Sequence, residues 1–284
     1  MNRIFLFLAT NLAVMFVFGI FASIVMPLLG IQSDGLGGLF LICLLFGMGG
    51  SFISLQLSKW LAKRSVNGQV INDSNERQAQ DLVRRVQKLA DNAGIPMPEL
   101  MVYHSQDVNA FATGPSKNNA LVAVSSGLLN KMSDQEVDAV LAHEISHVAN
   151  GDMVTLTLIQ GVMNTFVMFF AHIVTGIIDN FFRNSQGEGG LGFFVRFIVV
   201  SVLQTIFGIG ASIIVNWFSR KREYAADKGA ANLVGAASMI AALERLKGGV
   251  ESDLEGEMVA FGIKGKLGLF ATHPSLDDRI QALR

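Results

Sequence analysis

Charged residues and cysteine are scarce in this chain of 284 residues. Asp, Glu, Lys and Arg make up 16% of it, and the formal net charge is −1. A charge so close to zero provides no basic face for a nucleic acid, so that class of partner is excluded. The one cysteine, Cys43, cannot form an internal disulfide, and it lies in an apolar run where a small buried hydrophobe is the simplest interpretation.

Apolar residues take the place of the missing charge. They make up 51% of the chain, and the mean hydropathy of +0.44 is too high for an ordinary soluble protein. Because a helix needs about 20 apolar residues to cross a bilayer, four runs predict about four transmembrane or membrane-embedded helices: 4–29, 36–57, 154–178 and 191–218. The second run follows the first almost at once, which favours an uncleaved hairpin over a secretory signal peptide.

Basic residues cluster on one side of these runs. If all four runs cross the bilayer, the positive-inside rule places both termini and residues 58–153 in the cytoplasm. Trp60 and Trp217 lie beside the basic clusters, as tryptophans at a membrane interface do. Whether the third and fourth runs cross fully stays open, because their flanks must also bring residues to a shared site. The basic residues on the predicted cytoplasmic side are Arg3, Lys59, Lys63, Arg64, Arg220, Lys221 and Arg222, and the opposite loops hold Arg183.

The segment between the second and third runs has the composition of a soluble domain. Residues 75–93 place apolar side chains on one face of a helix and charges on the other, which predicts an amphipathic helix. Three short β-prone stretches follow at 98–104, 108–113 and 120–126, separated by turn-forming residues. They predict a small antiparallel sheet, whose outer strand could bind an extended peptide.

The stretch "LAHEISHVANGD", residues 141–152, carries the clearest chemical signal. A capping pair, Ser133 and Glu136, and the Asn-Gly stop at 150–151 predict one helix over 134–149. Residues four apart lie on the same helical face, so His143 and His147 can bind one tetrahedral metal with Glu144 beside it. This is the HExxH arrangement of zinc peptidases, in which the glutamate is the general base.

A catalytic zinc requires a third protein ligand and an open fourth position. Glu223 and Asp227, one turn apart after the fourth run, offer a third ligand and a residue that orients a ligand histidine. The alternative is a salt-bridged pair of surface carboxylates. His273 lies near the C-terminal end of the sequence, and its spacing alone predicts a surface histidine.

Several motifs resemble those of the HtpX family of bacterial heat-shock membrane metalloproteases, which is related to the CAAX prenyl endopeptidases. The similarity runs nearly end to end. One position departs from the family pattern, because Ser275 stands where a second proline usually follows "HP". The motifs are "LSKW", "VNAFATG", "LVAVSSGLL", "AHEISHVANGDMVTLTLIQG", "WFSRKREYAAD" and "THPSLDDRI".

The resemblance implies a zinc-dependent endopeptidase of the inner membrane with a gluzincin-like α+β catalytic core that faces the cytoplasm. It implies one zinc ion on His143, His147 and Glu223, with Glu144 as catalytic residue. It assigns substrate-cleft positions to Asn109, Ala110 and Phe111, and stabilisation of the tetrahedral intermediate to His273. Misfolded membrane proteins and unfolded polypeptides are the expected substrates, and self-cleavage is expected as well.

The motifs and runs together predict four segments. Residues 1–57 form a transmembrane hairpin, 58–153 a cytoplasmic catalytic domain with the HExxH helix, 154–218 a second membrane-embedded hairpin, and 219–284 the rest of the catalytic domain. Two other functions remain as alternatives: a catalytically silent scaffold with a structural zinc, and a transporter or channel. A structural site usually has four protein ligands, and a transporter usually places ionisable groups in the middle of the membrane.

Overall fold

The computed structural model of the chain describes residues 35–183, 189–248 and 271–284. These residues form eight helices and four strands. All four strands lie between the first long helix, which ends at Val66, and the next long helix, which begins at Asp152. The first predicted membrane run, 4–29, lies outside the described residues. The helices are α1 Gly35–Val66, α2 Arg77–Asn92, α3 Ser126–Lys131, α4 Asp134–Asn150, α5 Asp152–Phe181, α6 Phe193–Val234, α7 Ala236–Gly248 and α8 Leu276–Leu283, and the strands are β1 Gln69–Val70, β2 Glu99–Tyr103, β3 Ala110–Ser116 and β4 Asn119–Ser125.

Three of the described helices are long and apolar enough to cross a membrane: α1, α5 and α6. They contain the second, third and fourth apolar runs. All three continue beyond the ends of those runs, by three residues in α5, which ends at Phe181, and further in α1, which ends at Val66, and α6, which ends at Val234. The fourth run and the segment that carries Glu223 are therefore one uninterrupted helix.

The chain divides into two compact units. Among the described residues, a helical unit contains 35–51, 160–183 and 189–211, and a sheet unit contains 52–159, 212–248 and 271–284. In the helical unit, α1 packs on α5 through Phe40, whose ring centroid lies 5.4 Å from that of Phe169 in an edge-to-face contact.

The sheet is mixed rather than antiparallel, which corrects the sequence prediction. Its strand order is β1-β2-β4-β3. The β1–β2 and β3–β4 pairs are antiparallel, but β2 and β4 run parallel, with Leu100 opposite Val122. Strand β4, rather than β3, lies next to β2, so two strands that run in the same direction become neighbours. Strands β1 and β3 lie at its two edges.

Both faces of the sheet are covered, and side-chain alternation decides which residue faces which layer. Val122 and Val124 belong to the large core that includes residues of α2, α4 and α7. Leu121 and Ala123 belong to a smaller core on the other face, together with Ala62 near the end of α1. The functional helix α4 therefore has a rigid layer behind it.

The predicted limits of α4 are confirmed. Ser133 caps the helix in a capping box with Glu136, and Gly151 ends it in the left-handed conformation at φ 71°. Helix α5 begins at the next residue, so the chain turns from one helix into another through a single glycine.

Gly229 allows α6 to approach α4 closely. A Cβ atom at this position would lie 2.5 Å from Ser146 Oγ and 2.8 Å from Ser146 Cβ. Gly229→Ala should therefore push the two helices apart and destabilise the protein by about 1–3 kcal/mol. Thermal unfolding in detergent, followed by circular dichroism, should show a lower Tm. Gly208→Ala on the same helix is the control, because nothing lies within 4 Å of its Cβ position. Equal Tm values for the two variants would contradict this account of the contact.

Candidate metal centre

Helix α4 brings its two histidines to one point. His143 and His147 are one turn apart, and their Nε2 atoms lie 3.1 Å from each other. Glu144, between them in sequence, is buried as well. The charge of Glu144 acts on both His147 and Arg279, so Glu144 lies within electrostatic reach of these two residues.

Helix α6 brings a carboxylate to the same point. Glu223 Oε2 lies 3.5 Å from His143 Nε2, and Glu223 Oε1 lies 3.3 Å from His147 Nε2. Ligand atoms at 2.0–2.1 Å from a tetrahedral zinc are separated by about 3.3 Å, which agrees with these distances. The three residues form a group whose ligand atoms all lie within 4.8 Å of one another.

The other ring nitrogens of the histidines are held by carboxylates. His143 Nδ1 lies 2.9 Å from Asp227 Oδ1, and His147 Nδ1 lies 2.6 Å from Asp152 Oδ2. A neutral imidazole that donates its Nδ1 proton has a lone pair at Nε2. Both Nε2 lone pairs and the Glu223 carboxylate then converge without a proton between them. Such an arrangement of acceptors is stable around a cation, which is the role of carboxylate–histidine pairs at metal sites.

The charge balance of the site also favours a cation. Four buried carboxylates contribute to it: Glu144, Asp152, Glu223 and Asp227. Among the fully buried residues in the described part of the chain, Arg279 alone is permanently cationic. Since buried charges require compensation, the residues present fit a divalent metal ion.

The same carboxylates determine the pKa values of the two histidines when no ion is bound. Burial alone would lower the pKa of His147, but hydrogen bonds with Asp152 and Glu223 outweigh burial and raise that pKa to about 10. For His143 burial also acts downward, and hydrogen bonds with Asp227 and Glu223 again raise the pKa. Protons and a metal ion therefore compete for the same negative potential.

Sequence reasoning missed two residues of the site, Asp152 and Arg279. Arg279 donates two hydrogen bonds to Asp227, from Nε to Oδ2 at 2.8 Å and from Nη2 to Oδ1 at 2.6 Å. Its Nη1 lies 3.5 Å from Glu223 Oε2. A signal for it existed, because Arg279 shares the apolar face of α8 with Leu276 and Leu283, where an unpaired charge would not be tolerated. Asp152 follows the Asn-Gly stop directly, and its place as first residue of α5 carries it to His147.

His273 lies at this centre rather than on the open surface. Its Nδ1 is 2.9 Å from Glu223 Oε2, and 14% of its side chain is exposed. Neither of these two atoms has a partner with the angles of a hydrogen bond. Arg220, one turn before Glu223 on α6, donates to Ala271 O at 2.8 Å and fixes the backbone two residues before His273.

The predicted substrate-cleft residues Asn109, Ala110 and Phe111 lie at the start of β3. All three residues are buried, with 2%, 1% and 4% exposure. Neither their side chains nor their backbone is open to a ligand, so a substrate that pairs with this edge strand must do so further along β3. Asn109 O accepts from Ser125 N at 2.9 Å, which directs that part of Asn109 towards β4. Because bonding alternates along an antiparallel pair, the amide groups of Ala110 point away from β4, towards a side of the strand that is covered at this residue.

Comparison with known proteins identifies the class to which this fold and site belong. A family model described as Peptidase family M48 matches residues 76–284, so the chain belongs to that family, and it is a membrane metalloprotease. Two similar relatives are named Protease HtpX. The one from Aeromonas hydrophila is 56% identical over 289 residues and covers 100% of both chains. The one from Shewanella baltica is also 56% identical over 289 residues and covers 100% of this chain and 99% of the relative.

A solved structure supports the fold. The crystal structure of S. mikatae Ste24p matches with a TM-score of 0.66 and 20% identity. The match covers 97% of this chain but 63% of that longer chain, so this chain spans less than two thirds of Ste24p. At this level of identity the likeness concerns the fold alone.

The two parallel hydrogen bonds from Arg279 to Asp227 can be used to test whether this pair supports metal binding. Arg279→Lys keeps the charge but cannot bind both carboxylate oxygens in the planar fork, so Asp227 loses its orientation towards His143. Metal affinity should fall by about 10 to 100-fold, as for other residues that orient a ligand. Competition with a chelator measures the affinity. The control is Arg284→Lys on the same helix, an exposed arginine 3.4 Å from Glu244. Unchanged affinity in Arg279→Lys would remove this arginine from the metal centre.

Proposed function

We propose that the metal is zinc, bound by His143 Nε2, His147 Nε2 and one oxygen of Glu223, and that the chain uses it for endopeptidase catalysis. One observation carries the proposal: within the described residues the metal-binding group contains three protein ligands, with Glu144 beside them. Three ligands leave a coordination position open, which is typical of catalytic zinc. A bound zinc ion supplies Lewis acidity, lowering the pKa of a water to about 7 and polarising a carbonyl.

Glu144 moves the proton in this mechanism. Its carboxylate takes a proton from the attacking water, whose oxygen forms the new bond to the carbonyl carbon of the substrate. Glu144 then gives the proton to the leaving nitrogen as the peptide C–N bond breaks. Glu144 is buried, and the HExxH spacing places it beside the proposed ligands without making it one.

His273 is the proposed donor to the carbonyl oxygen of the substrate. Negative charge develops on that oxygen during attack, and a donor already held in place stabilises the transition state more than the ground state. The position of His273 next to Glu223 supports this role. So does its anchored loop, because Arg220 holds Ala271 before it and Arg279 holds α8 after it.

The free edge of β3 is the proposed substrate-binding surface. An extended peptide there would add a strand to the sheet and pair with outward backbone groups such as those of Ala112, which is half-buried, whereas Ala110 is covered. Because the sheet packs on α4 in the large core, a peptide that binds at this edge contacts a strand that is held in place. The buried side chains of Asn109, Ala110 and Phe111 then shape the strand rather than touch the substrate.

The substrates that we propose are misfolded or damaged membrane proteins and unfolded polypeptides, including the chain itself. Three apolar helices and the excess of Lys and Arg on one set of loops support a bacterial inner-membrane location with both termini and the active site in the cytoplasm. The same reasoning supports the four segments divided at residues 57, 153 and 218. A catalytically silent zinc scaffold is the rival function, and a group of three protein ligands among the described residues argues against it, because a structural site usually has four.

Glu144→Gln separates these two functions. It removes the base without removing a ligand, so the purified protein should keep its metal and lose cleavage of an unfolded membrane protein in detergent. Metal content by mass spectrometry and cleavage on gels measure the two properties. Glu244→Gln, an exposed glutamate paired with Arg284, is the control and should change neither. Full cleavage by Glu144→Gln would refute the mechanism.

His273→Ala tests the proposed donor. Loss of one such donor typically costs about 100 to 1,000-fold in kcat, so the variant should keep its metal and most of its substrate affinity while turnover falls by that factor. Steady-state kinetics with a quenched-fluorescence peptide separate kcat from KM. The control is His104→Ala, since His104 is exposed. Loss of metal would instead make His273 a ligand, and unchanged kinetics would exclude it from catalysis.

A further inference from the structure

Both tryptophans of the chain lie on helices of the sheet unit with their rings exposed. Trp60 on α1 is 55% exposed and Trp217 on α6 is 45% exposed. Each ring carries a cation on its face, because Arg64 lies 5.3 Å from the Trp60 centroid and Lys221 Nζ lies 4.5 Å from the Trp217 centroid. An exposed tryptophan with a basic residue one turn further along the helix is typical of the boundary between hydrocarbon and headgroups.

Exposed apolar side chains end at the same two positions. On α1 the last is Leu61, and on α6 the last large aliphatic or phenylalanine side chain is Phe218. A charged residue follows two positions later on both helices, Lys63 on α1 and Arg220 on α6. In water such a surface would be costly, whereas a lipid bilayer covers it and ends where the charges begin. The exposed apolar residues near these ends are Phe52, Ile53, Leu57, Leu61, Ile214 and Phe218.

The metal centre lies a short distance beyond this boundary. Glu223 follows Trp217 by six residues on one continuous helix, which is about 9 Å along its axis. Helix α5 gives the same value independently, because Asp152, which binds His147, precedes the first exposed apolar residue of that helix, Leu158, by six residues. A tilt of either helix shortens the distance to the bilayer.

The sheet also lies close to this boundary. Ala62 follows Trp60 by two residues, and it belongs to the same buried cluster as Phe111 of β3. Two residues of helix correspond to about 3 Å along the axis. The edge strand proposed to bind a substrate is therefore packed on the part of α1 that leaves the bilayer.

We infer that the active site lies within about 10 Å of the hydrocarbon boundary and accepts peptide bonds immediately next to a transmembrane segment of the substrate. An extended chain covers 10 Å in about three residues, so a short juxtamembrane stretch is long enough to reach the metal centre. The depth of the site follows from the residues named above. The statement about substrates rests additionally on the proposed endopeptidase function.

The depth of this boundary in the bilayer can be measured by tryptophan fluorescence, which does not depend on catalysis. The chain contains two tryptophans. Trp60→Phe and Trp217→Phe each leave one, and neither residue belongs to the metal centre. Each metal-loaded variant is placed in bilayers whose lipids carry bromine either near the headgroups or near the chain ends. Strong loss of fluorescence with shallow bromine and weak loss with deep bromine is the expected result for both. Equal fluorescence with and without bromine, or stronger quenching by deep bromine, would overturn the proposed depth.

The substrate class is tested with a fusion series in the same bilayers. One unstructured sequence follows a single transmembrane helix through spacers of about 0 to 20 residues, and mass spectrometry locates the cleaved bonds. Cleavage is expected with spacers of about three to five residues, since that length reaches the site. A requirement for about fifteen residues or more would contradict the inference. Failure to cleave any fusion, and also an unfolded protein in detergent, would refute the proposed function, while the tryptophan measurement would still decide the depth.

Discussion

Buried negative charge is the constraint on which this architecture depends. Glu144, Asp152, Glu223 and Asp227 lie out of solvent within one centre, and their mutual repulsion in a medium of low dielectric constant would oppose folding. Arg279 compensates part of this charge, and a metal ion compensates more. Metal binding and folding of the sheet unit are thus expected to be coupled, since α4, α6 and α8 meet where these charges are neutralised.

Helix α6 organises the centre through its periodicity alone. Arg220, Glu223 and Asp227 are spaced by three and then four residues, which places them on one face. Each has a separate partner: Arg220 holds Ala271 O, Glu223 faces the histidines, and Asp227 receives the fork of Arg279. The loop that carries His273 is therefore attached to α6 on both sides of Glu223. A ligand and a proposed hydrogen-bond donor keep their spacing because one rigid element fixes both.

Local patterns and the metal-binding motifs could be predicted from the sequence, whereas the direction of strand pairing and the partner of Arg279 could not. The capping box at Ser133 and the glycine at 151 define α4, because these interactions lie within a few residues. The parallel pairing of β2 with β4 arises because β4, not β3, lies next to β2, and side-chain alternation contains no information on which strands become neighbours. Arg279 was visible only as a charge on an apolar face, since its partner Asp227 lies 52 positions away.

The short link between α4 and α5 joins the chemistry to the membrane helix. A single residue, Gly151, separates the two helices, and its φ of 71° costs an L side chain free energy that glycine avoids. Asp152 is consequently both the first residue of α5, where the helix dipole favours a carboxylate, and the partner of His147 Nδ1. The ring orientation of His147, a proposed metal ligand, is thus determined by the point at which the apolar helix begins. Any shift of α5 along its axis would be transmitted to His147 directly, because no flexible linker lies between them.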